Sequence, residues 1–243
     1  MNSTSLKTWQ TWTLLALANL FWAGNWVVGR ALRDIYPPVE LNFWRWLLAA
    51  VILAPFALPL LRGQGALVRK HFGLLLLLAG TGAALFQTLV YVGLSGTTSV
   101  NAVLLSSSAP LFVMLCSWVI ARERASVGQL AGMAISLIGI ALILVRGDLR
   151  LLLRLDVHPG DVWILLAMPV FGLYSVLLRQ VPPALQGTRF LFLFAALAVP
   201  LLLGPMMMQP RAAAAATMPA ALAGLGYVAL FASVLAFACW NRA

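Results

Sequence analysis

Asn19, Trp22 and Trp26 recur at i, i+3 and i+7 in the apolar stretch "ANLFWAGNWVVG", so they share one helix face, with Asn25 at its edge. Amides set among indole rings suit recognition rather than bond-making. The rings hold the apolar part of a solute and the amides offer it hydrogen bonds. The same residues also suit plain helix packing, with an asparagine joined to a neighbouring helix, and both readings stay open. Asn42 and Arg45 follow in "PPVELNFWRWLLAA", three residues apart and beside Trp44 and Trp46. Polar groups in so apolar a segment are costly unless paired or wet. Arg45 has three available roles: meeting a solute carboxylate in an outward-facing vestibule, snorkelling to headgroups, or locking helices together.

Further along, Gln87 and Tyr91 stand at i and i+4, and each can donate and accept hydrogen bonds. "SSSAP" sets Ser106, Ser107 and Ser108 before Pro110, a proline expected to kink its helix and free a carbonyl near Ser106. The serines can satisfy that carbonyl, and Ser107 is kept as a candidate contact with solute. Gly128, Gly132 and Ser136 form a small-residue stripe at i, i+4 and i+8, which permits close helix packing. Catalytic chemistry has little to work with. The two histidines, His71 and His158, lie far apart, and no phosphate loop or nucleophile elbow is present. Cys116 and Cys239 fall in apolar segments with no metal-ligand spacing. The reading is therefore not an enzyme, with no metal and no cofactor.

The elements that must position these residues are set by composition. Of the 243 residues, 63% are hydrophobic and 9% charged, with a mean hydropathy of +0.97. A soluble domain carries about a quarter charged residues. Residues 72–121 contain no Asp, Glu, Lys or Arg, and neither do 125–145 or 212–241. A bilayer span needs about 20 apolar residues. The fold class is an all-α polytopic membrane protein, with spans near Thr11–Arg30, Val39–Leu60, Phe72–Leu94, Ser99–Ile120, Val127–Val145, Asp161–Leu178, Phe190–Leu203 and Ala220–Trp240. The seventh is short and its end is made irregular by Pro200, Pro205 and Pro210. "RGDLRLLLRLD" (146–156) is too charged to span and reads as an interfacial helix or a loop.

The net charge of +10 is spread between the spans, which is a topology signal and not a nucleic-acid footprint. With the N-terminus in the cytoplasm, that side takes Lys7, Arg62, Arg69, Lys70, Arg122, Arg124, Arg179, Arg189 and Arg242. The other takes Arg30, Arg33, Arg146, Arg150, Arg154 and Arg211. The bias favours a cytoplasmic N-terminus.

The first half echoes in the second. Gly24 and Trp26 match Gly172 and Tyr174, Pro37-Pro38 match Pro182-Pro183, Arg45-Trp46 match Arg189-Phe190, and Pro55 matches Pro200. Tyr174 is thereby a cavity candidate. A unit with an odd number of spans inverts the next one, and two inverted units can rock about a shared cavity. The division is 1–145 as a first five-helix unit, 146–158 as a linker and 159–243 as a partial second unit. "FQTLVYVGL" corresponds best to the terminal "AFACWNRA", whereas two more helices follow it in the first unit. Eight helices of a native ten are expected here.

"FWAGNWVVGRAL", "PPVELNFWRWLLAA", "NAVLLSSSAPLFVMLCSWVIARERASVGQLAGMAISLIGIALIL" and "LAFACWNRA" resemble the EamA-type ten-helix exporters of the drug/metabolite transporter superfamily. The resemblance implies two inverted five-helix repeats, the bacterial inner membrane, and efflux of small metabolites, commonly amino acids. The expected partners are the lipid bilayer and a small, zwitterionic solute, without nucleic acid. Monomer and homodimer stay open. Two alternatives also stay open: export of hydrophobic cations or drugs, and a truncated, non-transporting scaffold.

Overall fold

The computed structural model describes residues 3–123, 125–144, 158–209 and 218–242. All regular structure in these residues is helical. The chain runs through α1 (Ser3–Ala31), α2 (Pro38–Leu61), a six-residue helix at Gly65–Lys70, α3 (Phe72–Gly96) and α4 (Ser99–Ala121). It continues through α5 (Val127–Leu144), α6 (Pro159–Leu178), α7 (Thr188–Met207) and α8 (Pro219–Trp240). Six of these, α2, α3, α4, α6, α7 and α8, are long and apolar enough to cross a membrane. The protein is a multi-span membrane protein. In α1, 29 residues long, two asparagines and four tryptophans dilute the apolar character.

Local sequence explains the helix ends. Pro38, Pro159 and Pro219 each open a helix at a position where the missing N–H is no loss. Thr98 caps α4 by accepting a hydrogen bond from the Asn101 N–H at 3.1 Å. The seventh span is longer than the expected Phe190–Leu203. It continues through Pro200 and Pro205 to Met207, since neighbouring helices can satisfy the backbone groups that proline releases. The expected interfacial segment at 146–156 lies outside the described residues, and the linker 146–158 is described only at His158.

Three helices are not α-helical throughout. Residues Ala79–Phe86 of α3, Ser117–Ala121 of α4 and Leu230–Leu235 of α8 are wound as π-helix. Such turns recur at functional sites.

Packing crosses between the halves of the chain. α2 lies along α7, α1 along α8, and α3 and the second half of α4 against α6. One apolar cluster joins Trp46, Leu75, Leu78 and Phe194; a second joins Leu41, Leu94, Ile164 and Val228. The outward faces carry apolar side chains such as Val51, Phe56, Leu77 and Val119, as a surface covered by lipid requires. Close approach of α3 to α6 depends on glycine. A Cβ on Gly160 would lie 2.2 Å from the Gly93 carbonyl oxygen and 2.6 Å from the Thr97 nitrogen, where only backbone could move aside.

Gly160→Ala is therefore expected to cost about 1–3 kcal/mol through overpacking. Gly226→Ala, where nothing lies within 4 Å of the added carbon, should be neutral or stabilising. Thermal unfolding of the two variants in detergent checks the contrast, and equal melting temperatures would overturn it.

Candidate functional site

A cavity of about 700 Å³ sits where α1, α2, α3, α6, α7 and α8 converge. That volume lies within the usual range of small-molecule sites, about 300–1,000 Å³. Its walls are aromatic. From α1, the Trp22 ring meets Phe237 edge-on and Trp240 at a tilt, both at 5.5 Å between centroids. From α2, Trp46 meets Phe194 edge-on at 5.1 Å, and Phe194 in turn lies 5.6 Å from Tyr174. Tyr174 can approach because α3 presents a glycine. A Cβ on Gly82 would fall 2.4 Å from the tyrosine ring.

Arg45 supplies the charge. It is 3% exposed, yet it lines the cavity. Its Nε donates to Ser233 Oγ at 2.5 Å, and Nη1 donates to Asn25 Oδ1 at 3.3 Å and to the Tyr91 hydroxyl oxygen at 3.0 Å. The Tyr91 hydroxyl donates onward to Asn25 Oδ1 at 3.1 Å, and Ser233 donates to the Val228 carbonyl at 2.8 Å. The guanidinium carbon stands 5.0 Å from the Trp46 ring centroid, a cation–π distance. Every one of these partners is neutral. Among the described residues Arg45 forms no ion pair. Arg45 thus sits deep in the bundle, bonded to three other helices, rather than in an exposed vestibule.

The other sequence candidates separate cleanly. Trp22, Asn25, Trp26, Gln87 and Tyr174 line the cavity with Arg45. Tyr91 stands behind it, bonded to Arg45. Asn19 does not reach it: the side chain is exposed and its Nδ2 donates back to the Leu15 carbonyl at 2.8 Å. Asn42 is fully buried behind the wall, where Nδ2 donates to the Ala83 and Ala84 carbonyls at 2.8 and 3.3 Å and to Thr88 Oγ1 at 3.0 Å. It satisfies carbonyls that the π-helical turn leaves without their usual α-helical donors.

In α4, Ser107 and Ser106 donate to the Val103 carbonyl, and Ser108 donates to that of Leu105. The Ser99–Ser106 and Ala109–Cys116 halves are separated by a turn there, with Pro110 at the start of the second. Ser107 and Pro110 line a separate groove between α4 and α5, as do Gly132 and Ser136. No atom lies within 4 Å of a Cβ built on Gly132, and only the Ser126 Oγ, at 4.0 Å, approaches one built on Gly128.

Ser233 and Gly82 were not singled out from sequence. Ser233 is fully buried in an apolar helix, and that rarity was the available signal. Trp46 and Phe190 stood in the repeat match beside the two arginines, a signal that pointed at the arginines first.

The bundle is sealed at one end. Besides the Gly160 contact, Thr97 Oγ1 donates to Asp161 Oδ1 at 2.5 Å, and Asp161 Oδ2 accepts from the His158 N–H at 2.9 Å. Arg30 donates to the Leu94 carbonyl and to that of Ser95, capping α3, and Ser99 Oγ donates to the Trp26 carbonyl at 3.3 Å. Toward the opposite end the cavity continues to Val181, Gln186 and Gly187, between α6 and α7.

Comparison with known proteins gives a consistent result. The profile of the EamA-like transporter family matches residues 10–145. An uncharacterized transporter of Archaeoglobus fulgidus is 27% identical over 234 residues, covering 96% of this chain and 80% of the relative. The uncharacterized transporter YyaM of Bacillus subtilis is 22% identical over 241 residues, covering 98% and 78%. A protein of Streptantibioticus cattleyicolor described as a "probable terminal-alkyne amino-acid exporter" is 28% identical over 230 residues, covering 94% and 74%. No solved structure matches significantly.

Asn42→Ala is expected to lower stability by about 1–3 kcal/mol, because it strips buried carbonyls of their donor. Since Asn42 lies behind the cavity wall, the half-saturation for any transported solute should stay within twofold. Melting in detergent and exchange in liposomes test the two halves separately. A changed half-saturation would place Asn42 in the site.

Proposed function

The chain belongs to the EamA-like transporter family, and from that premise we propose that it exports amino acids or related small zwitterions by alternating access of two inverted helical units. Family membership makes it a membrane transporter of small molecules and not an enzyme. The observation that carries the finer reading is the aromatic cavity at the seam between the two parts of the chain.

Several features favour two related units, 1–145 and 159–243, joined by 146–158. The π-helical segment of α3 ends at Phe86, where "FQTLVYVGL" begins, and that of α8 ends at Leu235, immediately before "AFACWNRA". The two stretches are the ones that correspond in the repeat. Packing is exchanged in the same sense: α1 meets α8, α6 meets α3, and α2 meets α7. The basic-residue bias favours an N-terminus in the cytoplasm of a bacterial inner membrane. The sealed end is then extracytoplasmic, and the cavity reaches toward the cytoplasm, as loading for export requires.

The name of the Streptantibioticus relative supports an amino-acid cargo. Export of hydrophobic cations is disfavoured by Arg45, the one charged side chain lining the cavity among the described residues. A cation would meet repulsion from it with no carboxylate to offset that cost.

Reconstituted into preloaded liposomes, the protein should exchange labelled amino acids saturably. Trp22→Ala should raise the half-saturation roughly three- to tenfold, from loss of one aromatic face worth about 1 kcal/mol. Folded protein that exchanges no member of the panel would sink the amino-acid assignment.

A further inference from the structure

Three polar side chains of α2, α3 and α6 line the cavity with donors that no protein group takes among the described residues, besides the indole N–H of Trp46. Arg45 commits Nε to Ser233 and Nη1 to Asn25 and Tyr91, which leaves Nη2 without a protein partner among the described residues. Gln87, 7% exposed, and Tyr174, also 7% exposed, line the same cavity, and neither side chain is hydrogen-bonded to protein among the described residues. All three are more than nine-tenths buried. A buried arginine held only by neutral oxygens keeps an uncompensated charge, and a guanidinium presents its free N–H groups in a plane suited to carboxylate. Among the described residues the cavity lining includes no Asp, Glu, Lys or His.

Resting on the transport reading above, we propose that this site reads the carboxylate and the aromatic ring of its cargo and does not read the ammonium group. The substrate class is then aryl carboxylates, with or without an amino group. The carboxylate takes Arg45 Nη2, the Gln87 amide and the Tyr174 hydroxyl as donors. The ring enters the space bounded by Trp22, Trp46 and Phe237. An ammonium group finds neutral acceptors and ring faces there but no anion, so it gains little over its hydration in water. A carboxylate gains a fixed cation in a water-poor cavity, where the pair is stronger than in solvent. This differs from a dedicated amino-acid site, which would pair both charges.

The test uses four probes that separate the two charges and the ring: tryptophan, indole-3-propionate, tryptamine and alanine. Purified wild-type protein in detergent is assayed for binding of labelled tryptophan and labelled indole-3-propionate, with the other probes as competitors. Indole-3-propionate is expected to bind within about threefold of tryptophan, and tryptamine and alanine at least tenfold more weakly, a factor of ten corresponding to about 1.4 kcal/mol. Arg45→Gln should remove the tenfold preference for indole-3-propionate over tryptamine. Because Arg45 also ties four helices together, the wild-type ratios carry the test even where that variant does not fold. Tryptamine binding as well as tryptophan, or indole-3-propionate binding tenfold worse than tryptophan, overturns the proposal. So does the absence of binding by either labelled probe. Saturable exchange of other labelled metabolites by the same preparation in liposomes would then leave the transport reading standing, whereas folded protein that exchanges nothing would remove both.

Discussion

A guanidinium sealed into a helical bundle without a carboxylate constrains everything around it. Arg45 must find oxygen acceptors in a region without bulk water, and it draws them from α1, α3 and α8 at once through Asn25, Tyr91 and Ser233. The cost of burying an unpaired charge is high, and neutral hydrogen bonds offset only part of it. The Trp46 ring under the guanidinium offsets some of the rest. These four helices are therefore held in register by one side chain. The same side chain that ties these helices also lines the cavity.

The backbone obeys the same rule. A span in lipid must satisfy its carbonyls internally, and a π-helical turn alters which N–H each carbonyl can reach. In α3 the repair comes from another helix, with Asn42 donating to Ala83 and Ala84. In α8 it comes from within, with Ser233 donating five residues back to Val228. The two solutions differ in chemistry, yet both lead to α2, since Ser233 is also the acceptor for Arg45. α2 carries both polar anchors three residues apart, one for each of these two π-helical segments. A shift of α2 relative to either partner would strain that partner at its widened turn.

The membrane class, the positions of most helices and the aromatic face of α1 could be read from sequence because each rests on composition or periodicity. Trp22, Asn25 and Trp26 meet the cavity together. Asn19 shares their helical period, but its amide is short enough to bond its own helix, at Leu15, and periodicity carries no information about that choice. Asn42 and Arg45 show the same limit. Three-residue spacing puts them on neighbouring faces, yet one meets the back of α3 and the other the cavity. Which one lines the cavity depends on contacts such as that of Arg45 with Ser233 of α8, distant in sequence. The π-helical turns had no visible sign, since "AGTGAALF" and "LFASVL" read as ordinary small and apolar helix. Length was misjudged in α7, where prolines that would end a helix in water are carried by neighbours in the bundle.

Size differences along α3 explain where the cavity is open. Gly93 and Gly96 bring the backbone of α3 against that of α6 at Gly160, and no side chain can stand between them. Four turns earlier in α3, Gly82 admits the Tyr174 ring instead. The same pair of helices is thus fused by backbone at one end and spaced by an aromatic ring toward the other. Hydrogen bonds at the fused end, from the buried Thr97 to Asp161 and from Arg30 to the last carbonyls of α3, add polar ties to the backbone contact. The glycine end is therefore where α3 and α6 approach most closely, and the aromatic end is where the same pair of helices leaves room for the cavity.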